Sequence, residues 1–364
     1  MSSDWSSDVC SSDLTSTSMI PGEKIVGDDI AYFRNIDGTL RAANVEQGVF
    51  GIIKEVNAKD DPLIFKNLGK DQEIIFSNVL VGPHNSPYWV GCKEDIPQKG
   101  KNHSGHDWYH GKKDNNGVYI PASHSNARYT MRLDYLENID EGFYNKDGVP
   151  ISGVIYGGRD SYTCVPCEES FNWEDGIIIK AATLESETTS ATLGEEGQLK
   201  SNPMSNLDFI SYPLGEYILN NIEFGKKLKN KPKIFSTNYF LRDKQGNFCT
   251  SKLAKKVWLH WFEGRINNEF KVYKTPTGFI PKYEDLRKMF KKFLYENYQE
   301  EDYKYQFSFR CDNWIAKLER SIKFINTMDP NTPRLITEKC QNTIEKIKAA
   351  KERYGAIILP GAYC

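Results

Sequence analysis

The six residues Ile25-Val26-Gly27-Asp28-Asp29-Ile30 set two consecutive carboxylates behind a short apolar run and a glycine. An Ile-Val pair broken by glycine predicts a buried strand that reaches the edge of its sheet, where side chains face a ligand. Adjacent carboxylates at such an edge repel one another unless a cation lies beside them, and a hard divalent metal is the natural partner. A solvated Asp-Asp turn has the same composition. Upstream, Thr15-Ser16-Thr17-Ser18-Met19 supplies hydroxyls where a helix could begin; downstream, Arg159 follows Gly157-Gly158. Hydroxyls and carboxylates near a metal, with arginines opposite, make a phosphoryl-transfer constellation.

Other clusters point to less. His103, His106 and His110 could hold zinc on a helix, but Gly105, Gly111 and the surrounding asparagines predict a loop over 94–127, without a metal site. Cys164-Val165-Pro166-Cys167 is the one CxxC among eight cysteines, with no second pair to complete a zinc site, and reads as reduced structural thiols. The lysines of 226–233 read as a solvated turn.

The elements that must position these residues follow from periodicity. Strands are predicted at Tyr32-Phe33, Val49 to Ile53, Ile74 to Val81, Tyr129 to Leu133, Val154 to Tyr156, Gly176 to Lys180 and from Ile234-Phe235-Ser236 to near Asn238-Tyr239-Phe240, with a turn at Asn35-Ile36-Asp37-Gly38. Gly157-Gly158 allows backbone to approach a ligand and presents Arg159 at a strand end. The last third is helical. Leu286, Met289, Phe290, Phe293 and Leu294 share a face, as do Trp314, Ile315, Leu318, Ile322 and Ile325, and a final helix opens at Thr332-Pro333, with a cap and a first-turn proline, and closes at Tyr354-Gly355.

At 364 residues and a formal charge of −2, the chain is long enough for a large α/β domain or two smaller ones, and no global field points to nucleic acid or a membrane as partner. No apolar run is long enough to cross a bilayer and no signal-peptide pattern is present, so a cytoplasmic protein is expected. Residues 1–14 repeat Ser-Ser-Asp without an apolar face and read as an adapter-like, non-native leader, leaving 15–364 as the natural sequence.

Five motifs in order resemble one family: Val26-Gly27-Asp28-Asp29-Ile30-Ala31; Asn126-Ala127-Arg128; Gly148-Val149-Pro150-Ile151-Ser152-Gly153 with Gly157-Gly158-Arg159; Ser186-Glu187-Thr188-Thr189; and Pro232-Lys233-Ile234-Phe235 with Asn238-Tyr239-Phe240. Together they resemble GTP-dependent phosphoenolpyruvate carboxykinase from Thr15 to the C-terminus. The resemblance implies an α/β fold, the mixed-sheet nucleotide-binding lobe of a two-lobed enzyme with C-terminal helices. It also implies conversion of oxaloacetate and GTP to phosphoenolpyruvate, CO2 and GDP in gluconeogenesis, with Mn2+ in the active site and Mg2+ or Mn2+ on the nucleotide, in a cytoplasmic monomer.

Carried onto this sequence, the resemblance implies that Asp29 ligates Mn2+, with Asp28 supporting it or the nucleotide metal. Thr15, followed by Ser16, would end the phosphate-binding loop and ligate the nucleotide's metal. Asn126, Ala127 and Arg128 would hold substrate, with Arg128 also reaching the phosphates, and Arg159 would clamp the γ-phosphate. The stretch containing Glu187, Thr188, Thr189, Gly194 and Gly197 would be a closing lid that keeps water from the enolate. Phe240 and Phe248 would wall the guanine. Arginine's planar fork suits the phosphate and carboxylate roles. The segment Cys249 to Lys256 departs from the family's third aromatic and its asparagine. The family's lysine, histidine, substrate arginine and Gly-Lys of the phosphate loop lie upstream of Thr15, so the chain is expected to be an inactive part of the enzyme. Two other classes share the Asp-Asp pair and the arginines: a non-catalytic nucleotide-binding module and another metal-dependent phosphoryl-transfer enzyme.

Overall fold

The computed structural model describes residues 20, 22–59, 61–92, 96–188 and 197–364. The leader, Thr15, Ser16, Thr189 and Gly194 lie outside them.

The described chain opens with a hairpin, β1 (Ala31–Ile36) and β2 (Thr39–Asn44), paired antiparallel. Its two-residue turn puts Asp37 at φ 55° and Gly38 at φ 87°, the left-handed pair that matches the strand twist. A second sheet holds β3 (Gly48–Ile52), β4 (Ile74–Ser77) and β5 (Arg128–Arg132), with β5 central and both pairings antiparallel. Helix α1 (Pro62–Leu68) packs Ile64 and Leu68 into the same core as Val49, Tyr129 and Met131. The predicted strand 74–81 is broken: Asn78 turns left-handed at φ 60°, and Leu80–Val81 joins a separate small sheet. That sheet includes Lys99–Lys101 and Asp107–Tyr109, so the expected loop of 94–127 contains a short hairpin.

The central sheet is mixed and five-stranded. β6 (Gly153–Gly157) lies parallel to β10 (Lys233–Thr237), which pairs antiparallel with β7 (Cys167–Glu169); β12 (Phe279–Pro281) and β11 (Val272–Lys274) complete the far edge. Alternation along its strands divides two cores. Val154, Tyr156 and Ile234 face one set of helices, while Phe235 and Cys167 face the other. The first set comprises α2 (Gly176–Ala182), α3 (Leu214–Lys226), α7 (Cys311–Met328) and α8 (Arg334–Tyr354); the second comprises α4 (Lys255–Ile266), α5 (Tyr283–Phe293) and α6 (Glu300–Phe307).

Three expectations are corrected here. Gly176 to Lys180 is not a strand: it lies in the wide-turned helix α2, all seven residues of which are buried. The preceding turn, Trp173–Asp175, starts where the Asn172 side chain accepts from the Asp175 N–H at 2.9 Å, and an apolar run covered on all sides shows no period by which to tell helix from strand. Ile25 makes only an isolated bridge to Ile139, so Asp28-Asp29 precede a strand rather than end one. Thr332 does not cap α8; its hydroxyl donates to the Asp329 carbonyl at 2.7 Å, and Pro333 occupies the cap position. The stripes of α5 and α7 do face the core, through Leu286, Met289 and Phe290 and through Trp314, Leu318 and Ile325.

The cysteines among the described residues are free thiols. Burial pushes Cys164 up to about 12 and Cys167 well above its usual value, which leaves both protonated and unreactive.

Candidate active site

Gly27 lies against Asn44, where a Cβ would come within 2.8 Å of Oδ1. The turn so formed delivers Asp28 and Asp29 just ahead of β1. Glu46, beyond the end of β2, accepts from the Ile30 N–H at 2.8 Å. Burial, and then the nearby Glu46 charge, push the Asp29 carboxyl up to about 6. A half-buried carboxyl held beside a second carboxylate is costly without a counter-charge, and all the donors are hard oxygens, as Mn2+ or Mg2+ require. Asp28 and Asp29 also line a cavity of about 440 Å³ with Tyr32, Phe33, Tyr156 and Tyr217. Among the described residues, no group of three His, Cys, Asp or Glu side chains is arranged to hold a metal.

Asn126, Ala127 and Arg128 sit where the chain enters β5. Ala127 is fully buried and its carbonyl accepts from the Ile53 N–H at 2.8 Å. The Asn126 Oδ1 accepts from Arg128 Nε at 2.9 Å, which fixes the plane of the guanidinium. This sheet shares its core with Ile25, three residues before Asp28.

Arg159 leaves the end of β6. Gly158 has no room for a side chain, since a Cβ would lie 2.3 Å from the Glu185 carbonyl. That close approach joins the strand end to the base of the expected lid. The Arg159 N–H donates to Ser186 Oγ at 3.1 Å, and the Arg159 carbonyl accepts from the Glu187 N–H at 2.9 Å. The Glu187 carboxylate accepts from the Ser161 N–H at 3.0 Å and from its hydroxyl at 2.9 Å. β8 (Glu185–Glu187) pairs with β9 (Leu199–Ser201), and Thr188 closes the hairpin stem by exchanging backbone bonds with Gln198 and Gly197. Glu187, Thr188 and Gly197 therefore lie in the stem.

The Arg159 guanidinium stands 4.7 Å from the Phe240 ring centre, and Arg242 stands 4.1 Å from that of Phe248. The two rings meet edge to face, 6.1 Å apart at 71°. A flat base between them needs parallel faces, and Phe248, half exposed on its hairpin, is the ring with freedom to turn. Asn238 anchors Phe240 from below: it is buried, donates to the Asp160 and Cys164 carbonyls at 2.7 Å, and accepts from the Phe240 N–H at 3.0 Å.

The structure thus brings Arg159, Phe240, Phe248 and the stem residues Glu187, Thr188 and Gly197 into one neighbourhood, and sets Asp28-Asp29 on a cavity shared with Tyr156 at the same strand end. Asn126 to Arg128 occupy the adjoining sheet. Sequence reasoning missed Glu46, Ser161, Arg242, and Arg320, which grips Glu185 with two bonds at 2.9 and 2.8 Å. Only the Arg242 position carried a signal, the Asp243 to Gly246 turn that folds it back on Phe248.

Residues 8–346 match the family described as phosphoenolpyruvate carboxykinase C-terminal P-loop domain. The chain belongs to the phosphoenolpyruvate carboxykinase family. It is 50% identical over 349 residues to the protein named phosphoenolpyruvate carboxykinase [GTP] of Pyrococcus abyssi, an alignment covering 95% of this chain and 56% of that protein. It is 49% identical over 349 residues to the one from Pyrococcus furiosus, across 96% and 55% of the two chains, and 41% identical over 348 residues to the one from Saccharolobus solfataricus, across 95% and 56%. The chain spans little more than half the length of these relatives. The family resemblance expected from the five motifs is borne out, as is the mixed α/β fold.

Proposed function

We propose that this chain supplies the nucleotide-binding and catalytic lobe of a GTP-dependent phosphoenolpyruvate carboxykinase, which converts oxaloacetate and GTP to phosphoenolpyruvate, CO2 and GDP. The observation that carries this reading is the family match over nearly the whole chain, with relatives so named at half identity. Each relative's name includes GTP, which favours guanine over other bases.

In this reading Asp29 holds the active-site Mn2+, and Asp28 supports it or the divalent cation that accompanies GTP. The raised Asp29 carboxyl beside Glu46 fits a cation there. When bound, the metal supplies charge to oxygens that become more negative as the reaction proceeds. The protein's own groups then do the following. Arg128, oriented by Asn126 Oδ1, meets a substrate carboxylate or the phosphates with its planar fork. Arg159, at the end of β6, faces the γ-phosphoryl and stabilises charge spread over its oxygens during transfer. Phe240 and Phe248 take the base. The hairpin on β8 and β9 closes over the site and excludes water from the enolate, and because its stem is bonded to Arg159 and Ser161, closure and phosphoryl contact are mechanically joined. We extend the reading to a cytoplasmic monomer working in the gluconeogenic direction; no described helix is long and apolar enough to cross a membrane, which is consistent with it.

Calorimetric titration tests the proposal. With Mn2+ present, GTP should bind roughly tenfold or more tightly than ATP. Oxalate, a dicarboxylate shaped like the enolate, should bind only when Mn2+ is present and should compete with phosphoenolpyruvate. A chain that binds GTP but ignores oxalate would instead be a nucleotide-binding module, and one that binds neither would remove the reading.

A further inference from the structure

The four residues before β5 fold into a closed set of hydrogen bonds centred on His124. The His124 N–H donates to the Asn78 carbonyl at 3.0 Å, and the Asn78 side-chain amide donates to the Asn126 carbonyl at 3.0 Å. The Ala127 N–H donates to the His124 carbonyl at 3.1 Å. Most informative is the imidazole: its Nδ1 accepts from the Asn126 N–H at 3.0 Å. Asn126 Oδ1 in turn accepts from Arg128 Nε, which leaves the Nη edge of the guanidinium for an oxyanion. Asn78 is held at φ 60°, a conformation that interrupts its strand and is explained by its place in this set.

An imidazole nitrogen that accepts a hydrogen bond carries no proton of its own. The neighbouring His103 ring stands edge-on at 5.2 Å, and burial followed by the nearness of His124 lowers its own proton affinity.

We propose that His124 is a positioning residue: its Nδ1 fixes the Asn126 backbone and, through Asn126 Oδ1, the direction in which Arg128 presents its guanidinium to a substrate carboxylate or phosphate. The consequence for ligand binding rests on the proposed role of Arg128; the positioning itself does not.

Two variants separate the acceptor from the ring. His124→Asn places Oδ1 close to where Nδ1 lies and keeps the acceptor, whereas His124→Phe keeps a ring and removes it. Hydrogen exchange of the Asn126 amide, read by NMR, should accelerate by about three- to tenfold in H124F and stay within about threefold of the parent in H124N, as expected for one lost hydrogen bond. The oxalate dissociation constant in Mn2+ should weaken in the same order and by a similar factor. Equal impairment in both variants, or unchanged Asn126 exchange in H124F, would overturn the proposal. So would a nitrogen spectrum of the unaltered chain showing His124 protonated at Nδ1, a measurement that needs no variant to fold. If the parent binds no oxalate, the role given to Arg128 fails while the exchange comparison still decides that of His124.

Discussion

Asp29 concentrates the electrostatic tension of the site in one side chain. Its carboxyl is pushed from 3.8 to about 6 by burial and by Glu46, so the charged form is the one that the folded chain disfavours. The sign follows directly. Stability contributed by this group is fully present below about pH 4, falls as the pH rises through about 6 and stays lost above. A shift of this size would amount to about 3 kcal/mol for a fully buried group, and partial exposure reduces it to about 1 kcal/mol. In metal-free buffer at pH 7, Asp29→Asn should therefore raise the urea midpoint slightly and flatten the decline between pH 4 and 6. In Mn2+ the order should reverse, because the parent gains stability from the bound cation and the variant does not. If Mn2+ stabilised both equally, Asp29 would not be a ligand.

At the scale of elements, the expected lid is joined to the strand end that carries Arg159 and to helix α7. Glu185 at the start of β8 is 3% exposed, and the Arg320 fork on α7 is its charge partner. Arg320→Ala should cost about 2–3 kcal/mol in urea unfolding, because it strands a buried carboxylate; Arg320→Lys, keeping the charge but losing the bidentate fit, should cost about half that. An R320A variant as stable as the parent would mean that water reaches Glu185. The sequence made the neighbours of this joint legible: Val154 to Tyr156 had to be a core strand, and Gly157-Gly158 had to admit close backbone. It could not show the joint itself, because Glu185 and Arg320 are 135 residues apart and neither lies in a motif. The same limit explains α2. Gly176 to Ala182 is buried throughout, Lys180 included, because both the sheet and α8 cover it, and a segment buried on every side loses the period that separates helix from strand. By contrast, α5 and α7 keep one wet face, and their stripes were readable.

At the scale of the whole molecule, the central sheet separates two apolar cores, and a buried ion pair joins the sheet to the helix layer on one of its faces. Lys180 on α2 donates to the Glu168 carboxylate on β7, and both are almost wholly buried. Glu168 also accepts from the hydroxyls of Thr275 at 2.6 Å and Thr277 at 2.8 Å, in the turn between β11 and β12. The pair thus ties the helix layer on one face to the edge strands of the sheet that positions Arg159 and Phe240. Its charges are matched and its acceptor sites filled, which offsets the cost of burial but does not make the pair a large net gain. The asymmetry between breaking and replacing it is the testable part. Lys180→Met leaves an isolated buried carboxylate and should cost about 3–5 kcal/mol in urea unfolding. The double variant Glu168→Gln, Lys180→Met keeps an amide oxygen for the two threonine hydroxyls and carries no charge, so it should recover most of that loss. A double variant as unstable as K180M would show instead that the ammonium acts through Trp314, whose ring centre lies 5.2 Å from Nζ, and that the tie between α2 and the sheet is made by packing rather than by charge.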